Sequence, residues 1–174
     1  NGDFSYFKIA VGLEEDTSEK MIPSPFFYDD QMTVYIPNDL TDPDKTLDFV
    51  EEVSEFLKQL LSKTEGRAFV LFTSYSSLNQ IYYSMIEELQ ETDIHVLLHG
   101  EKPRSQLISE FKQVKNPVLF GTSSFWEGVD IQGEQLRNIV IIKLPFLVPS
   151  DPVVSDISAK FERHKRNPFM EYQL

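Results

Sequence analysis

The sequence has 174 residues, and a chain of this length buries about 70% of the surface of its unfolded state without a disulfide or a metal. It contains no cysteine, which excludes a disulfide scaffold, cysteine-ligated zinc or iron–sulfur sites and thiol catalysis within these residues. The net charge of −12 argues against non-specific nucleic-acid binding through bulk charge, although most of the acidic excess lies in residues 1–66.

The same composition sets expectations about location. No apolar run approaches the roughly 18 residues that a membrane span needs, so we expect no membrane association. The absence of cysteine fits a reducing compartment, and we expect a cytoplasmic protein. Because the sequence starts at Asn1 without an initiator Met or a signal-like segment, we expect it to be a piece of a longer chain.

The first third of the chain predicts a lead-in, a short strand and a long helix. Residues 1–32 have no clean period and are predicted to be irregular. Residues 33–36 are β-branched or aromatic, which predicts a first strand. A helix is predicted to begin with Asp42 as its N-cap and Pro43 in its first turn, and to end at Gly66.

The rest of the chain alternates buried strands with amphipathic helices. Strands are predicted over residues 68–72, 94–98, 118–120 and 138–144. Helices are predicted after Thr73 or Ser74, which can cap the first of them, then from Pro103, and over residues 153–166. Successive strands start about 20–26 residues apart, and this βαβ rhythm predicts an α/β fold whose mainly parallel sheet is covered on both faces.

Ligands of such sheets bind beyond the carboxyl ends of the strands. The most unusual of these ends is the segment 121–133, which holds three glycines, three hydroxyl side chains, the only Trp and the acids Glu127 and Asp130 within 13 residues. Hydroxyls and backbone N–H groups there suit phosphate oxygens, and Gly128 permits a close ligand approach. The alternative is a tight loop in which these residues only make the turn.

Other catalytic patterns are excluded. Gly128 and Gly133 have the spacing of a phosphate-binding loop, but Glu134 follows where that loop needs Lys. His95 and His99 have the spacing of a helical zinc pair, but position 96 is not Glu and the segment is predicted to be a strand. We expect His95 at the edge of the core and His99 in the following loop, and no metal site is predicted. No dinucleotide fingerprint or nucleophile elbow is present.

Together, these segments resemble the second motor domain of DinG/XPD-like DNA helicases of superfamily 2. The similar segments are 24–26, 35–37, 69–75 (motif IV), 99–100 with Arg104 and Phe111, 122–130 with Gly133 and Leu136 (motif V), 143–146, and 167–169 with Tyr172. The string Phe-Trp-Glu-Gly-Val-Asp over residues 125–130 is the specific part of this likeness, because motif IV alone is weak.

The resemblance implies a RecA-like three-layer α/β/α fold with a mainly parallel sheet. Residues 33–174 would be helicase domain 2, ending before motif VI, and residues 1–32 would be the lead-in from the first motor lobe. The lobe that carries the phosphate-binding loop, and the arginine of motif VI, would lie elsewhere in the parent. ATP and Mg²⁺ would therefore be cofactors of the parent, and these residues alone would hold none and have no catalytic residue.

The resemblance also implies roles for particular residues. The parent would be an ATP-dependent helicase moving 5′ to 3′ on single-stranded DNA, and an amino-terminal 3′–5′ exonuclease domain is a further option. The residues facing the ATP cleft between the lobes would be Glu127, Gly128 and Asp130. Those contacting DNA would be Thr73, Ser74, Thr122 and Ser123, with His99, Arg104 and Phe125 as further candidates. Phe125 would either stack on a base or pack beneath the loop.

Two other interpretations stay open. One is a complete nucleotide-binding enzyme of flavodoxin or Rossmann type, which needs a phosphate loop that the sequence does not show. The other is a non-catalytic α/β interaction module that uses the acidic first third of the chain.

Overall fold

The computed structural model describes residues 4–14, 16–41 and 46–173, and the chain divides into two compact units, residues 1–38 and 39–174. The first unit contains helix α1 (Ser5–Val11) and the single turn α2 (Tyr28–Gln31). The first 32 residues are therefore not wholly irregular. The prediction of a strand over residues 33–36 is wrong, because these residues form neither a strand nor a helix. A β-branched run needs a neighbouring strand to pair with, and propensity alone does not supply one.

The second unit follows the predicted alternation. Its elements are α3 (Thr46–Thr64), β1 (Ala68–Leu71), α4 (Tyr75–Gln90), β2 (His95–Leu98), α5 (Arg104–Gln113), β3 (Pro117–Gly121), β4 (Asn138–Ile141) and α6 (Pro152–Arg163). Short 3₁₀ turns span Ser123–Phe125 and Gly133–Gln135, and a π-helical turn spans Phe169–Gln173. The predicted helix start at Asp42 and Pro43 lies outside the described residues. Ser74 rather than Thr73 caps α4, since its hydroxyl accepts from the Ser77 N–H at 3.2 Å.

All four strands are parallel and lie in the order β2-β3-β1-β4. Phe69 pairs with Leu119 on one side and with Ile139 on the other, so β1 and β3 form the centre of the sheet. Their side chains are buried throughout, as expected for strands covered on both faces. The prediction of an α/β fold with a parallel sheet is confirmed.

Alternate side chains of the central strands enter two separate cores. Val70 and Phe72 pack with residues of α3 and α4 on one face. Phe69 and Leu71 pack with Leu107 and other residues of α5 on the opposite face. This gives the predicted three layers, helix–sheet–helix. Among the described residues, no helix is long and apolar enough to cross a membrane.

The amino-terminal edge of the sheet contains a tight turn between α3 and β1. Glu65, Gly66 and Arg67 all have positive φ, at 56°, 70° and 50°. The Gly66 N–H donates to the Leu61 carbonyl at 2.9 Å and closes the end of α3, as predicted. Its carbonyl accepts from Asn138 Nδ2 at 3.1 Å, which ties this turn to the start of β4.

Candidate functional site

The candidate site lies at the carboxyl edge of the sheet. Because the strands are parallel, the residues that follow β1, β2 and β3 come to the same edge. They are Thr73 and Ser74 after β1, His99 after β2, and the segment 122–130 after β3, which we call the strand-end loop. The structure therefore brings the predicted site residues to one edge.

His99 links three parts of this edge. Its Nδ1 accepts from the Thr122 hydroxyl at 2.8 Å, and the Thr122 backbone N–H points to the same nitrogen at 3.4 Å. A backbone donor on Nδ1 assigns the proton of the neutral ring to Nε2, which donates to the Tyr75 hydroxyl at 3.0 Å. Burial lowers the pKa of His99, which favours this neutral form.

Phe125 forms the floor of the strand-end loop. It is 2% exposed, and its ring makes edge-on contacts with Phe69 and with His99 at centroid distances of 6.3 and 4.8 Å. A Cβ atom built on Gly121 would come within 2.9 Å of the ring, so a glycine is needed beneath it. This position favours packing beneath the loop over stacking on a base. Next to it, Trp126 Nε1 donates to the Phe72 carbonyl at 3.3 Å.

Arg104 holds the strand-end loop from the start of α5. Its Nε donates to the Ser124 carbonyl at 2.8 Å, and its Nη2 donates to the carbonyls of Glu127 and Gly128 at 3.0 and 2.9 Å. The guanidinium also lies 5.7 Å from the centre of the Phe125 ring. One side chain thus fixes both halves of the loop.

The exposed groups of the edge are the ones that can meet a ligand. The cleft candidates Glu127, Gly128 and Asp130 are all exposed. Gly128 has φ 66°, a left-handed conformation that glycine adopts without strain. Exposed glycine backbone beside two carboxylates suits a hydroxyl or a cation better than it suits a bare phosphate.

The hydroxyl candidates divide into two groups. Thr73, Ser74 and Ser123 are exposed, although Ser74 also caps α4. Thr122 is 4% exposed and its hydroxyl is bonded to His99, so it supports the edge from inside. Tyr75 was not among the predicted site residues, although it is 51% exposed and its hydroxyl lies 3.0 Å from His99 Nε2. Its place at the end of the segment 69–75, which resembles motif IV, was the signal that could have included it.

The edge presents exposed side chains, among them Ser123, Glu127 and Asp130. A groove of about 480 Å³ lies elsewhere, between α3 and α4, where Val50, Ser54, Lys58 and Ser84 line it. None of the predicted site residues lines that groove. Within the described ranges, no group of three or more His, Asp or Glu side chains is arranged to hold a metal ion.

Comparison with known proteins identifies relatives over the whole length of the chain. Residues 57–174, which include the strand-end loop, match the Helicase C-terminal domain family. The chain is 32% identical over 173 residues to "ATP-dependent DNA helicase YoaA" of Haemophilus influenzae, covering 99% of this chain and 26% of that protein. It is 32% identical over 180 residues to "ATP-dependent DNA helicase DinG" of Photobacterium profundum, covering 98% and 25%.

A third relative bears a different name. The chain is 29% identical over 178 residues to "3'-5' exonuclease DinG" of Bacillus subtilis, covering 99% of this chain and 19% of that protein. The chain spans about a quarter or less of the length of these relatives. The resemblance to DinG-type helicases is confirmed.

Proposed function

Because the chain belongs to the Helicase C-terminal domain family, we propose that it is the second motor domain of a DinG-type ATP-dependent DNA helicase. One observation carries the proposal. The loop with the family-like sequence of residues 122–130 is held at the carboxyl edge of a parallel sheet, with Glu127, Gly128 and Asp130 turned to solvent. The domain would comprise residues 33–174, and residues 1–32 would lead in from the first motor lobe of the same chain.

On the DNA side, Thr73, Ser74 and Ser123 present exposed hydroxyls at neighbouring strand ends. Hydroxyl and backbone N–H groups bind phosphate and sugar oxygens without reading sequence, and these groups carry no net charge themselves. We propose that single-stranded DNA lies along this edge, and that the parent moves on it 5′ to 3′. Thr122, His99 and Phe125 would contribute mainly from below, by supporting the exposed groups.

On the nucleotide side, Glu127 and Asp130 would face the first motor lobe across the ATP cleft. Carboxylates repel phosphate, so they would accept hydrogen bonds from a ribose hydroxyl or from an arginine of the facing lobe. ATP with Mg²⁺ would supply the free energy for movement, and the residues that bind its phosphates would belong to that lobe. A purified 174-residue chain should therefore show negligible ATP turnover.

The name of the Bacillus subtilis relative supports a second option, in which the parent also carries a 3′–5′ exonuclease domain. The 174 residues would serve the motor in either case. A non-catalytic interaction module is the remaining alternative, and it predicts that the exposed acids of the loop have no effect on ATP hydrolysis.

The test uses the full-length parent with Asp130→Ala. We expect the DNA-stimulated ATPase rate to fall at least fivefold while thermal unfolding is unchanged, because the Asp130 carboxylate is exposed and stabilises no described core contact. Asp48→Ala, an exposed acid in the first turn of α3, is the matched control and should keep the wild-type rate. An unchanged rate in Asp130→Ala, or an equal loss in the control, would contradict the proposed role.

A further inference from the structure

The guanidinium of Arg104 spans the strand-end loop. Its three acceptors are the carbonyls of Ser124, Glu127 and Gly128, on either side of Trp126. Ser124 adjoins the exposed hydroxyl of Ser123, whereas Glu127 and Gly128 are cleft candidates. The two halves of the loop are thus joined through one side chain as well as through the backbone.

Other hydrogen bonds of the loop join Thr122 to His99 and Trp126 to the Phe72 carbonyl, and they do not involve the three carbonyls that Arg104 binds. The 3₁₀ turn of the loop is closed by the Phe125 and Trp126 N–H groups, which bond to the carbonyls of Thr122 and Ser123. These turn-closing bonds do not use the three carbonyls that Arg104 binds, which belong to Ser124, Glu127 and Gly128. Without a fixed donor these carbonyls would turn to water, and the backbone of the loop would be free to rearrange.

The geometry of the donor is specific to arginine. A planar guanidinium presents several N–H groups in a rigid fork, and here Nε and Nη2 reach acceptors on both halves of the loop at 2.8–3.0 Å. A lysine has one ammonium on a flexible stem and cannot hold separated acceptors in one fixed plane. The contact with Phe125 at 5.7 Å further fixes the guanidinium over the buried floor of the loop.

We propose that Arg104 is a positioning residue that couples the DNA-facing half of the strand-end loop to its nucleotide-facing half. This inference rests on the proposed function. It adds the contact through which a change in one half of the strand-end loop is transmitted to the other half. Arg104 acts through the loop backbone, because its Nε and Nη2 groups donate to three backbone carbonyls of the loop.

The test compares Arg104→Gln, Arg104→Lys and the control Lys112→Gln in the full-length parent. Lys112 is an exposed cation on the same helix, so its variant has the same loss of charge as Arg104→Gln. We expect both Arg104 variants to lower the ratio of DNA-stimulated to basal ATPase at least fivefold, within the usual range of coupling between sites. The Lys112 variant should keep the wild-type ratio.

Two further readouts separate positioning from a DNA contact. Amide hydrogen exchange should become faster in residues 122–130 of both Arg104 variants and stay unchanged in β1 and β3. The salt dependence of single-stranded DNA binding should keep its slope, whereas loss of one phosphate contact would reduce the slope by about 0.7. A reduced slope in Arg104→Gln, or wild-type coupling in Arg104→Lys, would overturn the proposal.

The outcomes also distinguish this inference from the proposed function. If the wild-type parent has no DNA-stimulated ATPase activity, the proposed function fails. In that case, unchanged amide hydrogen exchange in residues 122–130 of Arg104→Gln would separately refute the positioning role. If the wild-type parent is stimulated and both Arg104 variants are stimulated equally, the inference fails while the proposed function stands. Should Arg104→Gln lose its fold, Arg104→Lys, which keeps the charge and the aliphatic stem, decides the result.

Discussion

Replacing Gly66 by Ala should destabilise the domain through one close contact at the amino-terminal edge of the sheet. A Cβ atom at this position would lie 2.7 Å from the Asn116 carbonyl oxygen and 3.1 Å from a methyl group of Val118. Both neighbours belong to the segment that enters β3, the strand paired with β1. The added methyl group would therefore push apart the starts of the two central strands.

Gly133 provides a matched control. Its φ of 71° equals the 70° of Gly66 within a degree, but a Cβ atom there would meet nothing within 4 Å. Gly133→Ala should cost about 1–2 kcal/mol for the left-handed backbone alone. Gly66→Ala has that same cost, plus about 1–3 kcal/mol for overpacking against the backbone of the neighbouring strand. The change in unfolded-chain entropy is shared by the two variants and cancels in their difference.

Urea denaturation of the 174-residue chain measures this difference. With a slope of about 1–3 kcal/mol per molar urea, the midpoint of Gly66→Ala should lie roughly 1 M below that of Gly133→Ala. The slopes themselves should agree, which would show that both variants unfold from the same compact state. Equal midpoints for the two variants would refute the reasoning, because the cost of the left-handed backbone would then account for the whole destabilisation of each variant.

Three further substitutions test the carboxyl edge. Burial lowers the pKa of His99 below its usual value of about 6.5, so the unfolded chain takes up this proton first as the pH falls. The stability from the neutral ring is complete above about pH 6.5 and decreases below it, and a pH series should show a shallower loss in His99→Gln. Thr122→Val should cost about 0.5–1.5 kcal/mol in thermal unfolding because it removes the hydroxyl bond to His99. Ser123→Ala should leave stability within about 0.5 kcal/mol of wild type but weaken single-stranded DNA binding by the parent. Equal stabilities of the Thr122 and Ser123 variants would contradict the assignment of one hydroxyl to support and the other to contact.

Much of the fold was predictable because the second unit has strong local patterns. Residues 68–72 form a continuous apolar run between two amphipathic helices, and only a buried parallel strand explains that arrangement. Residues 33–36 have equally good strand propensity and still form no strand, since pairing depends on a neighbour that propensity does not reveal.

The candidate site was predictable only in its composition. The residue types of the segment 121–133 indicated a ligand-facing loop, and the structure places that loop at the expected edge. The contacts that hold it were beyond sequence reasoning. Arg104 reaches Ser124 across 20 residues, and Tyr75 reaches His99 across 24, so both contacts depend on how the helices and strands are packed.

The guanidinium of Arg104 donates to backbone carbonyl oxygens, which every amino acid has. Exchanging the exposed side chain of Ser124 therefore leaves its acceptor in place. Because the 174 residues contain no cysteine, Ser124→Cys would create a unique attachment point for a fluorophore within them. A dye there would report on motion of the loop as nucleotide or DNA arrives, with the anchoring of the loop undisturbed.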